Sequence, residues 1–584
     1  MAKKFTYTCE KFLGLNYNRS KNSILAGESP DMQNFTVTPS YTLEKRRGYS
    51  VLSRKSSRGR GIWSGVLSDK ECVVYVSGKE VFYRCDGEER VSGELESENG
   101  DVSFLRWFDS LYLLDGVKIK VLKDGALSDI EPYRPLVAVS TTPDGAGVSF
   151  EGKNLLTGKM RQSFTMNGTS TTLQLALDEL DSIDYVKMGE NYLSSTQYTK
   201  DIQKGTVTLL QSYADYDLID GVEVGFTKED GSEKLIHSMR FAQVYGGKND
   251  TRIFLYGDRE NPDVLRYSAV YNGKSSMEYF CENDFNKIPD GSPITSTARH
   301  FDRLMIFCPG SAYNAWAEEK SDENGLEYSI FPMTVLSDSV GCECEDFVRL
   351  ANNFPITLDR GTLYRWRSSS IRDERYSEDI GERVKSQLGQ LSPDTVRSFE
   401  SERTDELFIY SGDTLYVYNY RLDLFYLWRG IPSAGFTALS DGRVLFVRFD
   451  GSLCSLFDSD TDDGEQITAF WTTPYLDITD GVKNLYGAHV NISSYIDTAF
   501  DLSWVSDHGQ SGRESFRENY RRFSFEKLNF LRFGFNTSLS GRRIPLRIKH
   551  KRFEKLSLRI ENSYKDSPLH IFSFSLNGIV TDKK

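Results

Sequence analysis

The chain has 584 residues, a formal net charge of −13 and a mean hydropathy of −0.46. That length exceeds what one core supports and predicts three or four domains, while 13% aromatic residues and only 16 Pro favour pleated sheet. No stretch approaches the ~20 apolar residues of a membrane span, and the opening MAKKFTYTCEKF has no apolar leader. No membrane insertion is expected, and synthesis is expected in the cytoplasm.

Residues 1–55 contain few alternating runs, a turn-rich LAGESPDMQNF (25–35) and a basic LEKRRGY (43–49), and they read as an extended arm. From residue 56 a different pattern begins. Seven times a short hydrophobic run meets a Gly-containing turn and then a second run: VVYVSGKEVFY (73–83), LYLLDGVKIKVL (111–122), AQVYGGKNDTRIFLY (242–256), MIFCPGSAYNA (305–315), ITLDRGTLYRW (356–366), FIYSGDTLYVY (408–418) and LFVRFDGSLCSLF (445–457). Such units are hairpins. Gly310, Gly361 and Gly412 stand 51 residues apart, and Gly412 and Gly451 stand 39 apart. This period fits the four-stranded blades of a β-propeller. The predicted fold is therefore all-β, a propeller of about seven blades covering 56–135 and 236–477.

Between these stretches, 136–235 breaks the repeat with short strands and polar turns, which predicts an inserted β-sandwich. In YSEDIGERVKSQLGQLSPDTV (376–396), Ile380, Val384, Leu388 and Leu391 recur at helical spacing. A helix capped near Ser377 is expected there. Residues 478–584 alternate without the hairpin period, including LNFLRFGFNTSL, and predict a C-terminal β-sandwich.

Charge is unevenly spread: Gly481 to Lys584 carries 18 Lys/Arg against 10 Asp/Glu, leaving 53 basic and 74 acidic residues before it. An acidic body repels polyphosphate and argues against a general nucleic-acid binder. Lys45, Arg46, Arg47, Arg54, Lys55, Arg58 and Arg60 put seven cations in sixteen residues, and Arg542, Arg543, Arg547, Lys549, Lys551 and Arg552 form a second cluster. Both are candidates for subunit-interface or phosphate contacts, with pairing to acidic faces of neighbouring copies the favoured use. Asp458, Asp460 and Asp462 alternate before Gly464 and are a candidate calcium site; a solvated acidic turn is the plainer reading. No other cofactor is expected.

Catalytic signatures are lacking. The six His lie far apart, and nucleophile elbows, Walker loops and dinucleotide fingerprints do not occur. Eight scattered Cys read as reduced, buried thiols. Trp428, Trp471 and Trp504 suit either a sugar platform or the core, with the core preferred.

Several stretches together resemble the propeller-bearing virion proteins of tailed bacteriophages, of the nozzle, tail-tubular or head–tail connector type. They are FLGLNYNRS with LAGESPDMQNFTVTPSYTLEKRRGY, then NPDVLRYSAV with YFCENDFNKIPDGSPITSTARHFDRLMIFCPGSAY, LYVYNYRLDLFYLWRG, and QITAFWTTPYLDI with VKNLYGAHVNIS. The inserted segment, from NLLTGKMRQSFTMNGTSTTLQLAL onward, is similar to a small sandwich module of phage tail and baseplate proteins. The resemblance implies a non-enzymatic structural subunit in the virion tail, assembled in the host cytoplasm into a ring, commonly of six copies. Its partners would be itself, neighbouring tail or connector proteins, and genomic DNA as a passing strand. The alternatives are an adhesin binding host surface glycan and, behind it, a propeller glycosidase.

Overall fold

The structure is a computed structural model that describes residues 3–210, 219–247, 251–321, 327–367, 376–518 and 541–581. The expected aromatic alternation in LNFLRFGFNTSL lies outside the described residues.

Seven antiparallel four-stranded sheets follow one another as blades. Blade 1 spans 59–94, blade 2 103–129, blade 3 241–287, blade 4 296–337, blade 5 349–379 and blade 6 397–429. Blade 7 takes three strands from 433–459 and its outermost strand, Gly48–Ser53, from near the N-terminus, with Leu456 opposite Tyr49. Adjacent blades touch in order, and Ser433–Ala438 of blade 7 returns to Gly59–Leu67 of blade 1, which closes the ring. The chain is thus a β-propeller, as the Gly-turn period predicts. Six of the seven hairpins seen in the sequence are the middle pair of a blade; 242–256 is instead the first pair of blade 3. Each middle pair is apolar on both faces because blades pack on both sides of it. In blade 1, Val74 and Val76 face a cluster shared with Leu111 and Leu113 of blade 2, while Val73 and Tyr75 face Leu445 and Val447 of blade 7.

The inserted unit has a six-stranded and a three-stranded sheet between residues 136 and 227. Phe164, Leu173, Val186, Val207, Val224 and Phe226 form its own core, fully buried.

The first 55 residues are not an arm, contrary to expectation. Lys3–Cys9, Phe35–Val37 and Leu43–Lys45 join the C-terminal strands Val482–Ser493, Arg542–Leu546, His550–Phe553 and His570–Thr581 in a seven-stranded sheet. Asp31–Gln33 joins Ala469–Thr472, Thr498–Ser506, Ser511–Glu518 and Leu556–Asn562 in the facing five-stranded sheet. These early strands are three to seven residues long and carry little pattern of their own; Phe35–Val37 and Leu43–Lys45 pair with each other, while Lys3–Cys9, Asp31–Gln33 and Leu43–Lys45 take partners beyond residue 468. Trp471 sits between the sheets with Phe12 edge-on at 4.9 Å and Phe574 at 6.0 Å. This terminal sandwich leans on the outer strand of blade 6: the Leu15 amide donates to the Phe425 carbonyl at 2.7 Å, and the Asn34 amide to that of Leu427 at 2.8 Å.

The predicted helix near 380 is also shorter than expected. Ser377–Asp379 is the fourth strand of blade 5, and only Glu382–Val384 (one 3-10 turn) and Lys385–Leu388 (one α turn) are helical. The apolar spacing still marks burial, since Val384 and Leu388 join the main core with Ile380 and Leu391 against it. The blade needed an edge strand more than the helix needed a first turn.

Candidate functional site

In a propeller the first strands line the axis, so charged residues at their starts converge on one mouth of the central channel. Here these are Arg58 before blade 1, Asp101 before blade 2, Arg240 before blade 3, and Arg349 and Arg397 opening blades 5 and 6. Arg397 Nη2 lies 2.8 Å and Nε 3.1 Å from one Asp101 oxygen, and Arg58 approaches the other oxygen at 3.6 Å. Blades 2 and 6 are not neighbours in the ring, so this contact crosses the axis. Arg240 grips Glu345, in the link between blades 4 and 5, through two 2.7 Å hydrogen bonds. Burial opposes ionisation of Glu345, yet the Arg240 fork outweighs it and holds the carboxyl below its ordinary range. Arg349 donates to Asp346 at 3.2 Å. Tyr410 is raised by burial, with the Arg349 and Arg397 guanidiniums acting the other way.

The mouth is therefore a set of mutually paired charges that ties blades together. It brings no nucleophile against a base. Of these residues only Arg58 stood out in the sequence, as a member of the N-terminal basic run. The one available signal was a charged residue at the start of successive blades, and it is visible only once the first strands are assigned.

The N-terminal basic run is placed differently from expectation. Lys45, Arg46 and Arg60 are buried and serve this chain rather than a neighbour or a phosphate. Lys45 Nζ donates to Asn562 Oδ1 at 2.8 Å and to the carbonyls of Tyr564 and Ser567 at 3.3 Å. Burial and the adjacent Arg46 push its ammonium down to about 8. Arg46 forms a two-pronged pair with Asp462 at 2.5 and 2.8 Å, and also bonds Asn34 Oδ1 and the Arg429 carbonyl. It thereby fastens the terminal sandwich to blade 6 and to the end of blade 7. Arg60 donates to the carbonyls of Gly78, Ser97, Asn99 and Gly100 and stitches blade 1 to the entry of blade 2. The rest of the run is more exposed but also internally paired. Arg54 meets Asp463 at 2.7 Å, Lys55 meets Glu89 at 2.8 Å, Arg58 meets Asp101, and Arg47 reaches Asp460 at 4.0 Å.

Those pairings also dissolve the calcium candidate. Asp462 is held by Arg46, Asp460 accepts from Tyr495, and Asp458 accepts from Ser50 at 2.7 Å. The alternation that suggested a cation loop instead aims each carboxylate at a different protein donor. Among the described residues, no group of three or more His, Cys, Asp or Glu is arranged to hold a metal. Trp428, Trp471 and Trp504 are buried in the core, as preferred over a sugar platform.

The C-terminal cluster behaves otherwise. Arg542 pairs with Glu518. Arg543, Lys551 and Arg552 are exposed on Arg542–Leu546 and His550–Phe553, the strands at one edge of the seven-stranded sheet, Arg547 and Lys549 are exposed in the link between those strands, and none of the five forms an ion pair with a described residue. Burial alternates with charge here: Ile544, Leu546 and Ile548 point inward between them.

Fold and site together define a seven-bladed β-propeller protein with a paired axial mouth and an exposed basic sheet edge. No family model matches the sequence, and no curated protein matches it. Among solved structures, the chain is similar to Hsv2 from Kluyveromyces lactis, with a TM-score of 0.28 and 10% identity over 72% of this chain and 95% of that one. It is also similar to the WD40 propeller domain of Doa1 (TM-score 0.24, 9% identity, 71% and 98% covered). A gluconolactonase from Xanthomonas campestris gives a TM-score of 0.27 at 9% identity, covering 73% and 94%. The propeller rests on the blades themselves, and nothing about this chain is drawn from likeness at this level.

Proposed function

We propose that the chain is a non-enzymatic structural subunit of a bacteriophage virion, assembling with copies of itself into a ring around the DNA channel of the tail, nozzle or head–tail connector. The observation that carries this reading is the contrast between the two basic clusters. The N-terminal cations are engaged within the fold, whereas Arg543, on an edge strand, and Arg547 and Lys549, in the link to the next one, stand exposed with no ion pair to a described residue. The acidic remainder of a neighbouring copy offers the countercharge. Head-to-tail contact of that kind closes into a ring when the rotation permits. Because Arg397 and Asp101 meet across the propeller axis, the passage for DNA belongs to the lumen between subunits rather than to the centre of one propeller.

The test is the mass of the purified particle with negative-stain imaging, for the native chain and for an Arg547→Glu, Lys549→Glu variant. Rings with a central channel, lost in the variant at unchanged melting temperature, support the proposal. Monomers or trimers that bind bacterial envelopes replace it with an adhesin. Hydrolysis of wall polysaccharide by the pure protein replaces it with an enzyme.

A further inference from the structure

Eight cysteines are free, and two of them meet. Cys72 and Cys85 are directly opposed residues on the second and third strands of blade 1, Lys70–Ser77 and Glu80–Cys85. Their sulfurs are 2.9 Å apart. Opposed residues of an antiparallel pair have Cα atoms about 4.5–5.5 Å apart, inside the roughly 4.4–6.8 Å that a disulfide spans. Joining these sulfurs therefore needs a side-chain adjustment and no movement of backbone. The other candidate pair, Cys342 and Cys344, is two residues apart on one stretch of chain, and the Cys342 thiol donates to the Cys344 carbonyl at 3.4 Å.

We propose that Cys72 and Cys85 are a redox modification site that forms a cross-strand disulfide with a small organic disulfide such as glutathione disulfide as oxidant. Cys85 is half-buried and Cys72 fully buried, so the oxidant meets Cys85 first. The Cys85 thiolate attacks one glutathione sulfur, the glutathione S–S bond breaks, and one glutathione thiolate leaves and takes up a proton. Cys72 then loses its proton and attacks the Cys85 sulfur, expelling the second glutathione. Two protein thiols and one glutathione disulfide become one protein disulfide and two glutathione thiols. Burial pushes the Cys72 thiol up to about 11, while the Tyr83 hydroxyl, 2.9 Å from its sulfur, favours the thiolate. With the sulfurs 2.9 Å apart the second step is intramolecular, so the mixed disulfide on Cys85 resolves to the bridge. The bond pins two strands of the blade that packs against blade 7 at the seam where the ring closes.

The experiment incubates the full chain with glutathione disulfide, denatures it in N-ethylmaleimide and measures intact and peptide masses. Six alkylated cysteines instead of eight, with peptides containing Cys72 and Cys85 joined, are expected. Cys85→Ser restores seven alkylated thiols and no bridge. Cys72→Ser retains one glutathione on Cys85. A bridge between any other pair, eight alkylated thiols in the native chain, or a stable glutathione adduct on native Cys85 overturns the proposal. If Cys72→Ser fails to fold, Cys72→Ala with the same adduct readout takes its place.

Discussion

The two sandwiches of this molecule share an architecture and differ in how the chain builds them. The inserted sandwich draws all its strands from 136–227 and encloses a core of its own. The terminal sandwich draws strands from both ends of the chain, and its core is continuous with that of blades 4–7, from Phe12 and Phe35 through Trp471 to Trp366 and Trp428. The first is an accessory that the ring tolerates in a loop. The second is the clasp that holds the ring.

The largest way to break this comparison is deletion. Removing residues 1–47 strips Phe12, Leu15, Met32, Phe35, Val37 and Leu43 from the main core, all buried at 0–1% exposure. At about 1.5–3 kcal/mol per buried side chain, the six together lose roughly 9–18 kcal/mol, as much as the whole ~5–15 kcal/mol by which a domain is usually stable. Thermal unfolding followed by circular dichroism should show no cooperative transition for the blades. Replacing 136–227 by a short Gly-Ser linker should leave that transition in place; its disappearance would make the insert part of the scaffold.

Next in size is the Arg46 pair. Breaking a buried, hydrogen-bonded ion pair costs about 3–5 kcal/mol. Arg46→Met should lower the melting temperature sharply, and adding Asp462→Leu should recover part of the loss. A smaller effect belongs to Glu406, buried at the start of the second strand of blade 6, where burial pushes its carboxyl up to about 8 against bonds from Thr404 and Asn419. Its folded value lies above its unfolded one, so its contribution is fully present below about pH 4.5 and is lost as pH rises through about 8. The slope reaches at most about 1.4 kcal/mol per pH unit. Denaturant midpoints measured across this window should decline less in Glu406→Gln. The smallest prediction concerns Phe108, 74% exposed at the tip of blade 2 with φ +52°. A residue in the left-handed region costs roughly 1–2 kcal/mol, part of which glycine gives back in entropy. Phe108→Gly should therefore raise stability by about 1 kcal/mol or less in a urea titration.

The blades were legible in the sequence because their middle hairpins are local. In ITLDRGTLYRW the turn, both apolar runs and the pairing Leu358 to Leu363 lie within eleven residues. A subtler repeat was there too: R-W-F-D-S-L at 106–111 and R-H-F-D-R-L at 299–304 build the same first turn in blades 2 and 4. In each, the Arg Nε donates to the Phe carbonyl, at 3.0 and 3.4 Å. The N-terminal strands were not legible: Phe35–Val37 and Leu43–Lys45 form a local hairpin of only three residues a side, and the sheet that hairpin joins is supplied by residues 570–571, outside the reach of a short window. Likewise the basic run is real as composition, yet whether Arg46 or Arg547 is free depends on what folds over it. Charge density alone does not carry that information.

Gly48–Ser53 closing blade 7, and Lys3–Cys9 lying along His570–Thr581, also set a timetable. At about 5–20 residues per second of synthesis, roughly half a minute to two minutes separate the emergence of the first strand from that of its partner. During that interval the leading segment is an unpaired strand on the ribosome, with Lys3 and Lys4 keeping it hydrated. Only once residues 570–581 have emerged can the propeller and its clasp lock together, so the earliest of these strands waits unpaired for its distant partner.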